Sequence, residues 1–148
     1  MDSADVQRFW VLLDQLMTQG HFNKPSVDSI LRTSLRRVHR NKFYDFYESE
    51  NATAPGLILR SVELRLKKNT NDVGILIIDF REPCVTLAEI KKRHSMLAIT
   101  PPTGHSADEL TYYTADYASR RLSFGFPQDH AGCAVRVVVE TKGEGEIH

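Results

Sequence analysis

The stretch LILRSVELRLKKNTNDVGILIIDF, residues 57–80, predicts a pair of β-strands and with them the fold class. In residues 57–66, apolar side chains alternate imperfectly with Arg60, Glu63 and Arg65, which is typical of a strand with one buried face. Residues 74–80 form a short apolar run, and KKNTND between the two runs has the composition of a hairpin turn. We therefore predict two antiparallel strands joined by this turn.

Two helical patterns precede this pair of strands. Apolar residues between positions 3 and 20 recur at the spacing of one helix face, namely Val6, Phe9, Trp10, Leu13, Leu16 and Met17. A second helix is predicted to begin with Ser26 as its N-cap and to carry arginines opposite its apolar face. That apolar face comprises Val27, Ile30, Leu31, Leu35 and Val38. KFYDFYES, residues 42–49, follows and is predicted to be a short strand, with a continuing helix as the alternative.

The second half of the chain contains a third helix and further strands. Thr86 and Glu89 have the spacing of a capping box, so TLAEIKKR is predicted to be a helix of about two turns. The segments ELTYYTA, RLSFGF and CAVRVVVE, within residues 109–140, are strand-like, and together with MLAIT, residues 96–100, they give three or four strands. Residues 142–148 are predicted to form a frayed tail.

These elements predict a single α+β domain over residues 1–148. Two N-terminal helices and a further short helix pack on a mostly antiparallel sheet of about five to six strands. We expect the helices to cover one face of that sheet. The other face of an antiparallel sheet can stay in contact with water, and we expect binding to occur there.

The composition is that of a globular protein. Hydrophobic residues make up 41% and charged residues 26% of the chain, and the formal net charge is zero. This balance argues against nucleic-acid binding, and no apolar run approaches the ~20 residues of a membrane span. A local basic surface that would suit an acidic partner is nevertheless predicted on the second helix. Its residues are Arg32, Arg36, Arg37 and Arg40.

The start of the chain and its motifs bear on location and chemistry. MDSADVQRFW lacks the basic and apolar segments of an export signal. We expect the cytoplasm if Met1 is the native start, and the bacterial periplasm if a signal has been removed. No GxGxxG, P-loop, HExxH or EF-hand motif occurs, and we expect no cofactor and no metal. Cys84 and Cys133 lack zinc-site spacing; they predict a disulfide, with two buried free thiols as the alternative.

The segment PPTGHSADELTYY, residues 101–113, is the strongest candidate for function. It is compatible with an active site in which His105 is a base, with a partner-binding loop, and with a polar turn. Prolines stiffen such a loop, which favours binding. Tyr112 and Tyr113 should lie on opposite faces of a strand, so that one packs in the core and the other is exposed together with Tyr117. The predicted partner-binding residues are His105, Ser106, Asp108, Glu109, Tyr112, Tyr113 and Tyr117.

The C-terminal half also resembles a known structural plan. It contains, in order, a threonine-capped helix, a loop with two prolines, an aromatic strand and a pair of apolar strands. The matching residues are Thr86, Pro101, Pro102, Tyr112, Tyr113, Leu122, Phe124 and Phe126. This order resembles the helix-then-three-strand plan of small bacterial envelope modules, typified by outer-membrane assembly lipoproteins and β-lactamase inhibitor proteins. In type, the chain also resembles the immunity proteins that bacteria keep against secreted toxins, such as those of type VI secretion.

These resemblances imply a non-catalytic bacterial protein that binds another protein and inhibits or neutralises it. As an immunity protein it would occlude the cleft of a secreted toxin or hydrolase with the loop of residues 101–113. Two alternatives remain open. One is a secretion-apparatus adaptor or scaffold that uses the arginine-rich helix, and the other is a small enzyme that uses His105 with Asp108 or Glu109.

Overall fold

The computed structural model describes residues 3–49, 54, 57–128 and 132–142, which contain three helices and eight strands. The helices are α1 (Ser3–Thr18), α2 (Lys24–Ile30) and α3 (Leu87–Arg93). The strands are β1 (Arg36–Arg40), β2 (Tyr44–Ser49), β3 (Ile58–Lys67), β4 (Val73–Glu82), β5 (Ala98–Thr100), β6 (Leu110–Asp116), β7 (Arg120–Pro127) and β8 (Arg136–Thr141). Of the predicted frayed tail, residues 143–148 lie outside the described part of the chain.

All eight strands belong to one antiparallel sheet. Their order across the sheet is β1-β2-β3-β4-β8-β7-β6-β5, so two four-stranded meanders meet where β4 pairs with β8. The predicted α+β class, with three helices on an antiparallel sheet, is confirmed. The predicted number of about five to six strands is wrong, because β1 and the three-residue β5 extend the sheet at its two edges.

The second helix is shorter than the sequence pattern predicts. Asn23, not Ser26, is its N-cap, because the Asn23 side chain accepts a hydrogen bond from the Ser26 amide and Ser26 Oγ accepts one from the Asn23 amide. The helix ends at Ile30, and Arg32 has a left-handed φ of 50°, which reverses the chain. The arginines expected on this helix therefore lie after it, mostly in β1.

The helices cover one face of the sheet and enclose the core with it. Burial alternates from Val62 to Leu66 in β3 and from Leu76 to Phe80 in β4, where every second residue is buried against the helices. Phe9 and Leu16 of α1 pack into the same apolar cluster as Leu64, Leu76 and Phe124 of the sheet. Each of these side chains is at most 1% exposed. Full burial of such a side chain stabilises the fold by about 1.5–3 kcal/mol.

Arg120, at the start of β7, attaches the end of α1 to the sheet. Its guanidinium donates hydrogen bonds to the carbonyl oxygens of Leu16 (3.0 Å), Met17 (2.8 Å) and Gln19. These are carbonyls at the C-terminal end of the helix, which has no internal donors for them and attracts a positive charge. The side chain is only 7% exposed and lies 4.6 Å from the ring centre of Phe22.

A disulfide joins the segment before α3 to the segment before β8. It links Cys84 and Cys133, whose Cα atoms are 4.9 Å apart across a sequence separation of 49. Next to it, the Ala134 amide donates to the Val85 carbonyl at 2.9 Å. The sequence predicts that the last strand begins at Cys133, but β8 begins three residues later, at Arg136. In the described residues, no helix is both long and apolar enough to cross a bilayer.

Candidate functional site

The sheet face opposite the helices is here called the open face, and no helix of the described residues covers it. Strand register arranges its side chains in three rows that run across the sheet. The first row contains His39, Phe46, Arg65, Ile75, Glu140, Arg121 and Asp116. The middle row contains Arg36, Glu48, Glu63, Ile77, Val138, Ser123, Thr114 and Ala98. The third, called the Tyr112 row, contains Ser61, Asp79, Arg136, Gly125, Tyr112 and Thr100.

A hydrogen-bonded group fixes the centre of the Tyr112 row. Arg136 and Asp79 form a two-pronged ion pair, with Nε–Oδ1 at 2.6 Å and Nη2–Oδ2 at 3.1 Å. The remaining terminal nitrogen of Arg136 donates to the hydroxyl of Tyr112 at 3.1 Å. Hydrogen bonding to Asp79 raises the pKa of Arg136 above its ordinary value. The guanidinium is therefore permanently charged, oriented and half-buried.

Gly125 allows Tyr112 to reach Arg136 across the intervening strand. Gly125 pairs with Tyr112 on one side and with Arg136 on the other. A β-carbon at this position would lie 2.7 Å from Leu110 Cδ1, 3.0 Å from Tyr112 Cε1 and 3.4 Å from Arg136 Cβ. The tyrosine ring thus occupies the space that any larger residue at Gly125 would need.

A shallow depression of about 340 Å³ lies beside this group, between the Tyr112 row and the middle row. Its charged lining contains both signs and comprises Glu48, Glu63, Arg65, Asp79 and Arg136. Arg65 bonds to Glu63 at 2.9 Å and lies 5.1 Å from the ring centre of Phe46. Aromatic and arginine side chains of this kind are enriched at the centres of protein interfaces.

The loop between β5 and β6 is organised by Glu109. Its carboxylate accepts hydrogen bonds from the amides of Thr103 (2.8 Å), His105 (2.7 Å) and Ser106 (2.9 Å), and from the Thr103 hydroxyl. These bonds, those of Thr103 foremost, lower the pKa of Glu109 from 4.5 to about 2. The Glu109 carboxylate is therefore ionised at neutral pH and engaged by the backbone of the loop.

The other side of the loop is held by Gln128, which follows β7. Its amide nitrogen donates to the carbonyl oxygens of Ser106 (3.2 Å), Ala107 (3.2 Å) and Glu109 (3.0 Å). The side chains of His105, Ser106 and Asp108 are exposed on this framework. Since Thr100 and Tyr112 flank the loop in the sequence, it lies at the end of the Tyr112 row.

The three predicted tyrosines do not form one surface. Tyr112 is on the open face, whereas Tyr113 lies on the helix side, with its ring centre 5.6 Å from that of Phe126. This separation agrees with the predicted alternation. Tyr117 was expected to be exposed beside the outer tyrosine, and that expectation is wrong: it packs against the core, with its ring centre 5.8 Å from that of His94. It follows the last residue of β6, where the two-residue alternation no longer applies.

The predicted basic surface is also redistributed. Arg36, Arg37 and Arg40 lie in the edge strand β1, not on a helix, and all residues of this strand are exposed. By register, Arg36 faces the open side, whereas Arg37 and Arg40 face the helix side. Arg32 lies apart from them, in a groove beside α1. Within the described ranges, none of these four arginines takes part in a salt bridge.

The sequence alone does not reveal the central group of the open face. Asp79 and Arg136 are 57 positions apart, and only the pairing of β4 with β8 brings them together. One signal was present in the sequence. Gly125 interrupts the run RLSFGF, and a glycine inside a strand marks a close approach of another group.

Comparison with known proteins supports the fold. No protein-family model matches the chain, and no curated protein matches its sequence significantly. The structure is similar to the crystal structure of a DUF4309 family protein, YjgB, from Bacillus subtilis subsp. subtilis strain 168. The TM-score is 0.52 and the sequence identity 16%, over 86% of this chain and 84% of that one. At this identity the likeness concerns the fold alone.

Proposed function

We propose that this chain is a non-catalytic bacterial binding protein that inhibits or neutralises another protein. In the most specific form of this proposal, the chain is an immunity protein that occludes a secreted toxin or hydrolase. The observation that supports it is the open face itself, where Tyr112, Arg136 and the loop after Thr100 are fixed in place on an uncovered sheet.

Pre-ordering is what makes this surface suitable for binding. Side chains and loops that become ordered during association lower the affinity, by about 0.5–1.5 kcal/mol for each flexible side chain. Here Arg136 is already held by Asp79 and Tyr112, and Glu109 already holds the loop. A partner therefore meets groups whose conformational freedom was lost on folding.

The test begins with affinity capture of the tagged protein from separate cytoplasmic and periplasmic fractions of its host. A captured partner is then titrated calorimetrically against the wild type and against Tyr112→Ala and Asp108→Ala. We expect each variant to lose roughly tenfold or more in affinity. Lys91→Ala, an exposed change on α3, is the matched control and should bind like the wild type.

Two results would overturn the proposal. One is a partner whose affinity is the same for wild type, Tyr112→Ala and Asp108→Ala, which would place its contact elsewhere. The other is a hydrolase partner that keeps its full activity when saturated with this protein, because an inhibitor must reduce turnover as it binds. A stoichiometric loss of activity supports the immunity role.

A second candidate function is that of an adaptor or scaffold which binds an acidic partner through β1. The observation that favours it is the set of arginines in this exposed edge strand without salt-bridge partners among the described residues. Arg36→Glu with Arg37→Glu reverses the local charge and should abolish capture of such a partner. Lys91→Glu reverses a charge on α3 and serves as the control. Capture that survives the double reversal excludes this candidate.

A further inference from the structure

A second concave site lies on the helix side, away from the open face. It is a cleft of about 250 Å³ between α1, the end of α3 and the turn between β6 and β7, here called the His94 cleft. Trp10, Leu13 and Leu122 form its floor, and each is at most 2% exposed. His94 and Tyr117 form its walls. An apolar floor with a few convergent polar groups is the usual composition of a small-molecule site.

Trp10 also lines this cleft, and its indole carries a hydrogen-bond donor that the protein covers. Its Nε1 atom is buried and has no acceptor among the described residues. A buried donor left unpaired costs about 1–3 kcal/mol, and buried tryptophan N–H groups usually find a partner. The Arg93 guanidinium lies 4.7 Å from the Trp10 ring centre, so a second donor group is adjacent.

The walls are uncharged at neutral pH. Burial lowers the pKa of His94, although the nearby carboxylate of Asp14 opposes this effect and Arg93 reinforces it. The imidazole is therefore neutral and offers one donor and one acceptor. Burial, together with Asp14, raises the pKa of Tyr117, so its hydroxyl remains protonated. Both rings also offer faces and edges for stacking.

The rim carries one charge of each sign. Asp14 of α1 and Arg93 of α3 both line the cleft and are exposed. Within the described residues, Asp14 forms no salt bridge, and Arg93 bonds to the neutral side chain of Gln7 at 3.3 Å. Each charge is thus available to an ionic ligand.

We propose that the His94 cleft binds a small zwitterion of the α-amino acid class. Its carboxylate pairs with Arg93, and its ammonium group pairs with Asp14. At about 250 Å³ the cleft is smaller than the sites of drug-sized ligands, which occupy about 300–1,000 Å³, and it suits a ligand the size of a single amino acid. The Asp14 carboxylate would repel a simple anion, and the Arg93 guanidinium would repel a simple cation. A zwitterion can pair with both charges.

The chain provides its own reporter for the test, because Trp10 is its single tryptophan. The free L-amino acids are titrated one by one into the whole protein, each to about 10 mM or to its solubility limit, since weak sites have dissociation constants near 1 mM. The indole N–H resonance of Trp10 is followed for every amino acid, and its fluorescence is followed for all except tryptophan and tyrosine, which fluoresce themselves. We expect saturable, one-to-one changes for at least one amino acid. No saturable change in either signal for any of them overturns the proposal.

Variants and ligand analogues test the assigned contacts. Asp14→Asn and Arg93→Gln alter exposed side chains and should leave the fold intact, as thermal melting would verify. For the amino acid that binds, loss of either charge should weaken binding roughly tenfold. The wild type should bind the amino acid more tightly than its deaminated or decarboxylated analogue. Asp14→Asn should bind the amino acid and the deaminated acid equally well, and Arg93→Gln should bind the amino acid and the decarboxylated amine equally well. Lys91→Ala is the control. Wild-type binding of the deaminated acid as tight as that of the amino acid overturns the zwitterion assignment.

Discussion

Replacing Arg120 by methionine tests how α1 is attached to the sheet. Methionine keeps an apolar chain of similar length but removes the guanidinium. The carbonyl oxygens of Leu16, Met17 and Gln19 then lose their donor, and the C-terminal end of α1 loses a positive charge. Because the side chain is 7% exposed, water replaces these bonds only in part.

The expected loss can be estimated from these contacts. A hydrogen bond to a charged group contributes about 1.5–3 kcal/mol, so three such bonds set an upper limit of about 9 kcal/mol. Two effects reduce it: burying the guanidinium is itself costly, as its lowered pKa indicates, and helix-end carbonyls are partly rehydrated in the variant. We expect Arg120→Met to lower the free energy of unfolding by about 3 kcal/mol, which corresponds to about 6–12 °C in Tm for a chain of this size.

Urea unfolding followed by tryptophan fluorescence measures this change, provided that the denaturant slope is unchanged. Arg121→Met is the matched control at the next position. Arg121 lies on the open face, 3.6 Å from Glu140, and such surface pairs contribute about 0–1 kcal/mol. If Arg120→Met lowers the free energy of unfolding no more than Arg121→Met does, Arg120 does not attach α1 to the sheet in the way described.

Three further predictions concern the loop, the open face and the disulfide. The pKa of Glu109 is depressed in the fold, so its contribution to loop order is complete above about pH 4.5 and is lost as the pH falls toward 2; the protection factors of the loop amides, which correct exchange rates for their intrinsic pH dependence, should fall over that window and should already be low at neutral pH in Glu109→Gln. Gly125→Ala should displace the Tyr112 ring and cost about 1–2 kcal/mol in thermal unfolding; an unshifted Tyr112 resonance would contradict this. Replacing Cys84 and Cys133 by alanine should lower the free energy of unfolding by about 4 kcal/mol for a separation of 49 residues, and a reductant should affect only the wild type.

Local sequence patterns predicted the elements whose burial is periodic. The strands of residues 57–80, the apolar face of α1 and the capping of α3 by Thr86 all depend on neighbouring residues, so the sequence reveals them. The pattern was misleading at β1, because Leu35 and Val38 continue the helical spacing of α2. The chain reverses there at Arg32, in a left-handed conformation without glycine or asparagine, and pairing with β2 then selects a strand.

The candidate site was predictable only in part, for a similar reason. The loop of residues 101–109 is recognisable from its prolines and polar residues. The role of Glu109 is not, because it requires the amides of Thr103, His105 and Ser106 to converge on one carboxylate. Its acidic neighbour Asp108 looks equivalent in the sequence but remains exposed.

The uncompensated charges and the oriented hydrogen-bonding groups lie at different places on the sheet, and they should affect different steps of partner binding. Asp79 neutralises Arg136, so the Tyr112 row presents oriented hydrogen-bonding groups and an aromatic ring with little net charge. The arginines of β1 have no such partners among the described residues and carry an uncompensated positive charge at the edge of the sheet. Uncompensated edge charges mainly accelerate encounter and are screened by salt, whereas oriented, half-buried groups determine how long a complex lasts. A partner of the open face should therefore show a salt-dependent association rate through β1 and a dissociation rate that depends on Tyr112.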